Sequence, residues 1–343
     1  QGNNEAFWIA IAVLVATCPC ALGLATPSAL TCAMARLNKQ GILLKRADAL
    51  EQITGIDTIA LDKTGTLTEG KFGIADRWFA DPTQAEYLFN VTVSLEARSE
   101  HPISKAFSAS ESLAVSEFEV TAGGGIRGSV DGKQYLLGSA TFTQADPSAV
   151  PVSANVYLVC NGECLAAYEV TDSLKSDTAE TLAGLDSFQL VLLSGDTQQN
   201  VDKLAAKLPL AVATGELTPQ QKYQAVQKLQ AQGHKVMMLG DGINDAPVLA
   251  SADVSVAVGN ATDIARNAAD VVLLSESLST VPALVDIAAK TRRKIRQNIF
   301  WALGYNLLIL PFAVSGLLLP WMAVIGMSLS SIIVVSNSTR LLK

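Results

Sequence analysis

Three stretches of this 343-residue chain place carboxylates where phosphoryl chemistry could occur. In Leu61-Asp62-Lys63-Thr64-Gly65-Thr66-Leu67-Thr68, an apolar run from Ile56 to Leu61 ends at Asp62, and a hydroxyl-rich, turn-prone segment follows. Such a run predicts a short buried strand, and in an open α/β sheet chemistry sits just past the carboxyl ends of the strands. Asp62 stands where a nucleophile would, with Lys63, Thr64 and Thr66 beside it to hold an anion. A carboxylate that attacks a phosphoryl group forms an aspartyl-phosphate. A second run, Lys235 to Leu239, ends at Gly240-Asp241-Gly242-Ile243-Asn244-Asp245-Ala246-Pro247, and a third, Gln189 to Leu193, ends at Ser194-Gly195-Asp196. Two strand ends can bring Asp62, Asp241 and Asp245 together. Carboxylates gathered at one point need a cation, and Mg2+ with oxygen ligands and a phosphate fits. Asn244 adds a polar contact and Lys222 can balance phosphate charge. Phosphoryl transfer needs in-line positioning and charge stabilisation more than acid-base power. Acidic loop ends at the surface are the weaker reading.

The elements that must position these residues follow an α/β pattern. Strands alternate with helical segments such as Thr197 to Lys207, and strands follow at Asp253 to Val258 and Asp270 to Leu274. This alternation implies a doubly wound parallel sheet. From about Glu69 to Thr171 the texture changes to a small α+β insert. Helical patterns run from Thr83 to Glu96 and from Pro102 to Ala114, followed by short strand-like runs with glycine turns. The insert holds Ser99-Glu100-His101-Pro102 and Gly123-Gly124-Gly125-Ile126-Arg127-Gly128. The latter fits Gly-x-Gly-x-x-Gly, but strands follow it rather than a helix, so a dinucleotide site lacks its context. It reads as a β-turn, or as a glycine loop that lets a nucleotide approach closely. Asn161-Gly162 predicts a hairpin across which Cys160 and Cys164 could face each other. In a reducing cytosol they read as free thiols. Gly65-x-x-x-x-Gly70-Lys71 continues with Phe72, without the hydroxyl that a P-loop uses for Mg2+, and is rejected as one.

The chain is 49% hydrophobic with a net charge of −7, which argues against nucleic acid as its main partner. Five cysteines in a chain of this length do not make a disulfide framework. No charged residue occurs from Ala6 to Ala35, and apolar runs recur from about Ile299 to Leu319 and from about Trp321 to Val335. Each is long enough for a membrane helix or close to it. The basic residues Arg36, Lys39, Lys45, Arg46, Lys290, Arg292, Arg293, Lys294, Arg296, Arg340 and Lys343 all fall on one side if the amino terminus is outside. Residues from about 36 to 296 are then cytosolic. The first span contains Cys18-Pro19-Cys20. Proline removes a backbone hydrogen bond and kinks the helix, which could turn both thiols to one site. Soft thiolates suit Cu(I) and Zn(II); two small cysteines buried at a kink are an equal alternative.

From Cys18 onward the chain resembles the catalytic core of a heavy-metal P-type ATPase. Asp62-Lys63-Thr64-Gly65-Thr66 is similar to the phosphorylation motif of that family, and Gly240-Asp241-Gly242-x-Asn244-Asp245-x-Pro247 to its Mg2+ motif. The resemblance implies that Asp62 is phosphorylated, that Asp241 and Asp245 serve Mg2+, and that Glu100, His101, Gly123 and Gly125 bind ATP. It implies a haloacid-dehalogenase-like sheet, an inserted nucleotide-binding domain and three transmembrane helices. The expected boundaries are 1–44 for the first membrane segment, 45–68 with 172–285 for the phosphorylation domain, 69–171 for the insert and 286–343 for a membrane hairpin. Ser194 stands for the family's usual threonine. Haloacid dehalogenase-type phosphatases commonly carry an aspartate where Thr64 stands, so slow water attack and a durable phosphoenzyme are expected, as suits a pump. Thr214-Gly215-Glu216 matches an actuator-domain motif in the wrong place and reads as coincidence.

Tyr305, Asn306, Met327 and Ser331, with Asn298 and Ser330, resemble the copper(I) subclass. With Cys18 and Cys20 they imply transported Cu+. Zinc and cadmium relatives carry a charged site in the last span, which is lacking here. The implied protein sits in the cell membrane among lipid, takes copper from a chaperone, and includes an amino-terminal half with the actuator domain preceding Gln1. The alternatives are a Zn2+ or Cd2+ pump, a membrane-anchored phosphatase and a non-catalytic metal-binding membrane protein.

Overall fold

The computed structural model describes residues 2–99, 102–107, 113–121, 124–241, 246–259 and 261–342. The chain separates into two compact units, Gln1–Leu67 with Ser176–Lys343, and Thr68–Lys175. In chain order the strands are β1 (Ile42–Leu44), β2 (Thr58–Asp62), β3 (Thr68–Phe79), β4 (Val115–Thr121), β5 (Gly125–Val130), β6 (Lys133–Gly138), β7 (Val156–Cys160), β8 (Glu163–Leu174), β9 (Gln189–Leu193), β10 (Val212–Thr214), β11 (Val236–Gly240), β12 (Val254–Val258) and β13 (Val271–Leu273).

The first unit holds a seven-stranded sheet in the order β1-β13-β12-β11-β2-β9-β10. Its pairings are parallel except for β1 against β13. Every residue of β2, β11 and β12 is buried. Continuous apolar runs of this kind belong to strands covered on both faces. From β2 the chain steps outward through β9 and β10, then returns to the other side of β2 for β11, β12 and β13. The reversal beside β2 is a switch point, where connections diverge and leave a crevice at the carboxyl ends. The strands β2, β9, β11, β12 and β13 were legible in the sequence, and the three-residue β1 and β10 were not. β1 is held by its ladder and by flanking bonds from Lys45 N to the Asp270 carbonyl and from Leu274 N to the Gly41 carbonyl.

The second unit is a six-stranded sheet, β3-β8-β7-β6-β5-β4, antiparallel throughout. A helix, Ala85–Glu96, lays Leu88, Val91 and Leu95 on a core that includes Val130, Leu137, Leu158 and Tyr168. Two expectations are corrected here. Of the helical pattern read over Pro102 to Ala114, the described residues form a short 3-10 helix at Pro102–Ala106, and Leu113 and Ala114 before β4 are not helical. The hairpin at Asn161-Gly162 forms with both residues at positive φ, but it pairs Cys160 with Glu163 and Val159 with Cys164. Paired residues share a face, so the two cysteines point to opposite faces, Cys160 into one apolar cluster and Cys164 against another.

Three helical stretches are long and apolar enough to cross a membrane: Ala6–Lys39, Thr280–Val314 and Pro320–Leu342. The first is two helices, α1 (Gly2–Ala16) and α2 (Cys20–Lys39), interrupted at Cys18-Pro19. The others contain the helices Thr280–Val314 and Pro320–Thr339. They pack through small residues in two layers. Ala16 meets Ala313 and Ala323 in one, and Ala21 and Ala25 meet Ala302 and Val334 in the other. Small side chains let helices approach closely where lipid gives no hydrophobic drive. Phe7, Leu14, Phe300, Leu307 and Trp321 stay exposed, as a lipid-facing surface requires.

Candidate active site, nucleotide cleft and membrane cysteine site

Three of the predicted loops meet because their strands are neighbours. Asp62 is in register with Leu193 and Leu61 with Leu239, so Asp62, Ser194 and Asp241 all lie at the carboxyl ends of β2, β9 and β11. Asp62 is 5% exposed and Asp241 9%. The ammonium of Lys222, 6% exposed, donates to Asp62 Oδ1 at 2.6 Å. Lys222 is held on the first turn of a helix, Pro219–Ala231, whose start is fixed by reciprocal bonds between Thr218 and Gln221.

After Asp62 the chain turns sharply. Thr64 is extended and Gly65 takes φ 68°. That left-handed conformation suits glycine, and a Cβ there would overlap the Asp241 carboxylate. The turn therefore brings backbone against Asp241. It also buries the Thr66 hydroxyl, whose oxygen has no hydrogen-bond partner among the described residues. An orphaned buried hydroxyl costs free energy unless something else satisfies it. A phosphate oxygen would.

Lys63 pairs with Asp196 rather than standing free beside Asp62. Asp196 N donates to Ser194 Oγ at 3.1 Å, and the Asp196 carboxylate accepts from Thr197 N and Asn200 Nδ2. Gly195 sits below the Leu217 carbonyl. The segment dismissed as coincidence, Thr214-Gly215-Glu216, has a local role. Glu216 N and Leu217 N donate to the carbonyls of Asp196 and Ser194, so this segment braces the Ser194-to-Asp196 loop. Its signal was the glycine, whose Cβ would collide with Asp196 and Gln198. Asn244 and Asp245 lie outside the described residues.

Among the described residues no three His, Cys, Asp or Glu side chains gather closely enough to hold a metal by themselves. Mg2+ commonly takes one or two carboxylates together with substrate phosphate. Asp62 and Asp241 at adjoining strand ends, with an unsatisfied hydroxyl between their loops, fit that demand.

Within the second unit, a cleft of about 280 Å³ is lined by Glu96, Ser99, Gly124, Gly125, Gly138 and Asn155, among others. Gly125 and Gly138 are paired across β5 and β6 so tightly that a Cβ on either would strike the opposite backbone. The glycine run is thus a hairpin with a flat floor, and no helix follows it. Sequence reasoning missed Glu96. It is 6% exposed, and burial pushes its carboxyl up to about 7. A glutamate on the apolar face of an amphipathic helix was the available signal. Glu100, His101 and Gly123 lie outside the described residues.

In the membrane helices, the interruption at Cys18-Pro19 turns both sulfurs to one place, where the structure joins Cys18 to Cys20 as a disulfide with Cα atoms 5.5 Å apart. The break lies between the two packing layers, since Ala16 belongs to one and Ala21 to the other. On the partner helices the same interval runs from Ala302 to Ala313 and from Ala323 to Val334. Tyr305, Asn306, Met327 and Ser331 all fall within it. The Tyr305 hydroxyl is buried against Gly326 without a hydrogen-bond partner among the described residues. Ser330 is occupied by Trp301 Nε1 at 3.2 Å. Asn298 lies outside this interval, in a buried network with Ser338, Asn337 and the Ala25 carbonyl.

Known proteins share these features. The family model of haloacid dehalogenase-like hydrolases matches residues 56–253. "Cation-transporting P-type ATPase B" of Mycobacterium bovis is 38% identical over 361 residues, covering 99% of this chain and 48% of that protein. "Copper-exporting P-type ATPase" of Mycobacterium leprae is 37% identical over 356 residues, covering 99% of this chain and 46% of its own length. The chain thus spans about half the length of the curated relatives it matches. Among solved structures, a zinc-transporting PIB-type ATPase in its E2.Pi state superposes with a TM-score of 0.77 at 31% identity, over 95% of this chain and 56% of that one. The catalytic domain of the CPx-ATPase CopB-B gives a TM-score of 0.62 at 32% identity, over 74% of this chain and 98% of that one.

Proposed function

The chain belongs to the haloacid dehalogenase-like hydrolases and, within them, to the P-type ATPases, and on that premise we propose that it is the catalytic and metal-releasing half of an ATP-driven copper(I) exporter. The observation that carries the reading is Asp62: a buried carboxylate at a strand end, paired with Lys222 and next to an unsatisfied Thr66 hydroxyl.

Asp62 attacks the γ-phosphorus of ATP; a bond forms from its carboxylate oxygen to phosphorus, and the bond to the bridging oxygen breaks to release ADP. Lys222 positions the Asp62 carboxylate before attack and faces the added negative charge afterwards. The Thr66 hydroxyl donates to a phosphoryl oxygen. Lys63 orients the Ser194-to-Asp196 loop through Asp196. Asp62 and Asp241, with Asp245 by resemblance, would hold Mg2+, which supplies charge neutralisation when bound, and Asn244 adds a polar contact. Thr64 offers no carboxylate to activate water, so the aspartyl-phosphate persists long enough to be coupled to a conformational change. The cleft of the second unit takes the nucleotide, with Gly124, Gly125 and Gly138 giving a flat floor for a planar base. Glu96, protonated near neutral pH, can donate to a ring nitrogen, and Glu100, His101 and Gly123 join it by resemblance.

Copper(I) is favoured over zinc by ligand chemistry. The interval around Cys18 and Cys20 offers Met327, Tyr305 and Asn306, and the span Pro320–Thr339 contains no charged residue. Reduced thiolates and a thioether suit a soft monovalent ion. The likeness to a zinc-transporting structure keeps Zn2+ or Cd2+ as the second reading. On this reading the protein sits in the cell membrane, with the parallel sheet of the first unit and the whole second unit on the cytoplasmic side, and a copper chaperone is its expected donor.

The test is acid-stable labelling from γ-phosphate-labelled ATP in Cu(I), in Zn2+ and in chelator, using the complete polypeptide that carries this chain. Label that rises with Cu(I) and disappears in Asp62→Asn is expected. A rise with Zn2+ alone overturns the metal, and no Asp62-dependent label overturns the pump.

A further inference from the structure

The helix Thr280–Val314 carries a second feature, at the level where it enters the membrane. Its stretch 297–314 has no charged residue and makes roughly 27 Å of helix, close to the thickness of a bilayer core. Arg296 is therefore the last cation before the hydrocarbon, and Arg292 and Arg293 lie about one turn behind it. All three are exposed. None pairs with a carboxylate among the described residues. Arg292 is steadied by donating to Thr54 Oγ1 at 3.2 Å, which leaves the rest of its guanidinium free to meet a ligand.

These arginines line one side of a groove of about 780 Å³, and no acidic residue among the described residues lines it. Its floor is apolar, with Ile53, Ile56 and Phe188 opposite Val285 and Ala289. Phe300, one turn beyond Arg296 on the same stripe, closes the membrane end and is 81% exposed. The neighbouring groove shares Arg292 and Arg296, but its other charged residues include Glu51 and Asp253 as well as Arg46 and Lys235. Only the first groove among the two is uniformly cationic.

We propose that this groove binds the headgroup of an anionic phospholipid, the phosphate on Arg292, Arg293 and Arg296 and the glycerol and upper acyl chain along Phe300. Three observations select that occupant. The charge is unopposed and of one sign. Phe300 continues the cationic stripe on its membrane side with an exposed apolar ring, which a free inorganic anion does not need. The groove opens at the depth where headgroups lie. Guanidiniums bind phosphate in paired hydrogen bonds and tolerate partial desolvation, so arginine suits this position better than lysine. A lipid seated there bridges the membrane helix to the base of the parallel sheet, through Ile53, Thr54 and Phe188.

The full chain would be purified in a neutral detergent, supplied with phosphatidylglycerol or phosphatidylcholine, and the retained lipid counted by native mass spectrometry. Phosphatidylglycerol is expected to be retained, and phosphatidylcholine not. The triple variant R292Q/R293Q/R296Q should lose retention by about fivefold for each cation removed. The variant K39Q/R340Q removes charge at the same interface outside the groove and should leave retention unchanged. F300A, which keeps all three cations, should also weaken retention. Glycerol phosphate in excess should compete poorly. Equal losses in the triple variant and in K39Q/R340Q would mean general surface potential and overturn the site. Full competition by glycerol phosphate would mean a simple anion site and overturn the lipid. Retention indifferent to the triple change in a folded chain would leave the groove to another occupant, such as an acidic protein segment, and overturn the proposal.

Discussion

The strand-end site around Asp62 and the helix break around Cys18 are both places where regular backbone hydrogen bonding stops, and they are furnished in opposite ways. At the strand end, charge is answered: buried Asp62 by Lys222, half-buried Asp196 by Lys63. At the helix break the described neighbours are small and apolar, with two sulfurs at the centre and a Tyr305 hydroxyl left unanswered. A hard phosphate with Mg2+ needs the first setting, and a soft ion that sheds water on entering lipid needs the second. One chain thus keeps two ligand chemistries apart by where it ends a strand and where it ends a helix.

The comparison breaks most visibly if the two sites can be silenced separately. C18S/C20S should abolish the metal response of phosphorylation from ATP altogether, while labelling of Asp62 from inorganic phosphate continues. Loss of both reactions would mean that the cysteines support the fold rather than a metal. At the other site, Lys222→Met takes the ammonium away from a buried carboxylate. It should destabilise the first unit by about 3–5 kcal/mol, read by denaturant unfolding, and Lys222→Arg should recover part of the loss.

Glu96 sharpens the contrast, because its carboxyl is buried and holds its proton instead of finding a cation. The folded group titrates at about 7 against 4.5 for an unperturbed one. Between those values the folded state binds more protons than the unfolded state. Stability of the second unit should therefore fall as pH rises from about 4.5 to 7, by about 3 kcal/mol, and level off above. Glu96→Gln should flatten that slope, measured by hydrogen exchange of the β5 and β6 amides. Thr64→Asp is a smaller change in energy with a clear kinetic sign. Supplying a general base beside Asp62 should shorten the phosphoenzyme lifetime by about a hundredfold, followed by chase with unlabelled ATP. An unchanged lifetime would remove Thr64 from the account.

Much of this was legible in the residues. The runs ending at Asp62, Ser194 and Gly240 are continuously apolar and each stops at a polar, turn-prone loop, so both their strand character and their shared edge followed from pattern. Short β1 and β10 were hidden because partners, not propensity, hold them. The role of Gly215 was hidden because it acts through backbone bonds to a loop distant in sequence. Glu96 was hidden for the opposite reason: a lone acid on an apolar helix face looks like a mismatch until the cleft it lines is seen. Cys160 and Cys164 were misread because hairpin register, not spacing, sets which face a residue takes.

The central claim is that Asp62 carries the phosphoryl group. The most direct measurement is to trap the ATP-labelled protein with borohydride, which reduces an acyl phosphate to an alcohol, and to map the modified residue by peptide mass spectrometry. The account predicts homoserine at position 62, absent without ATP. Homoserine at another aspartate, or an unmodified Asp62 in protein that carries label, would contradict it.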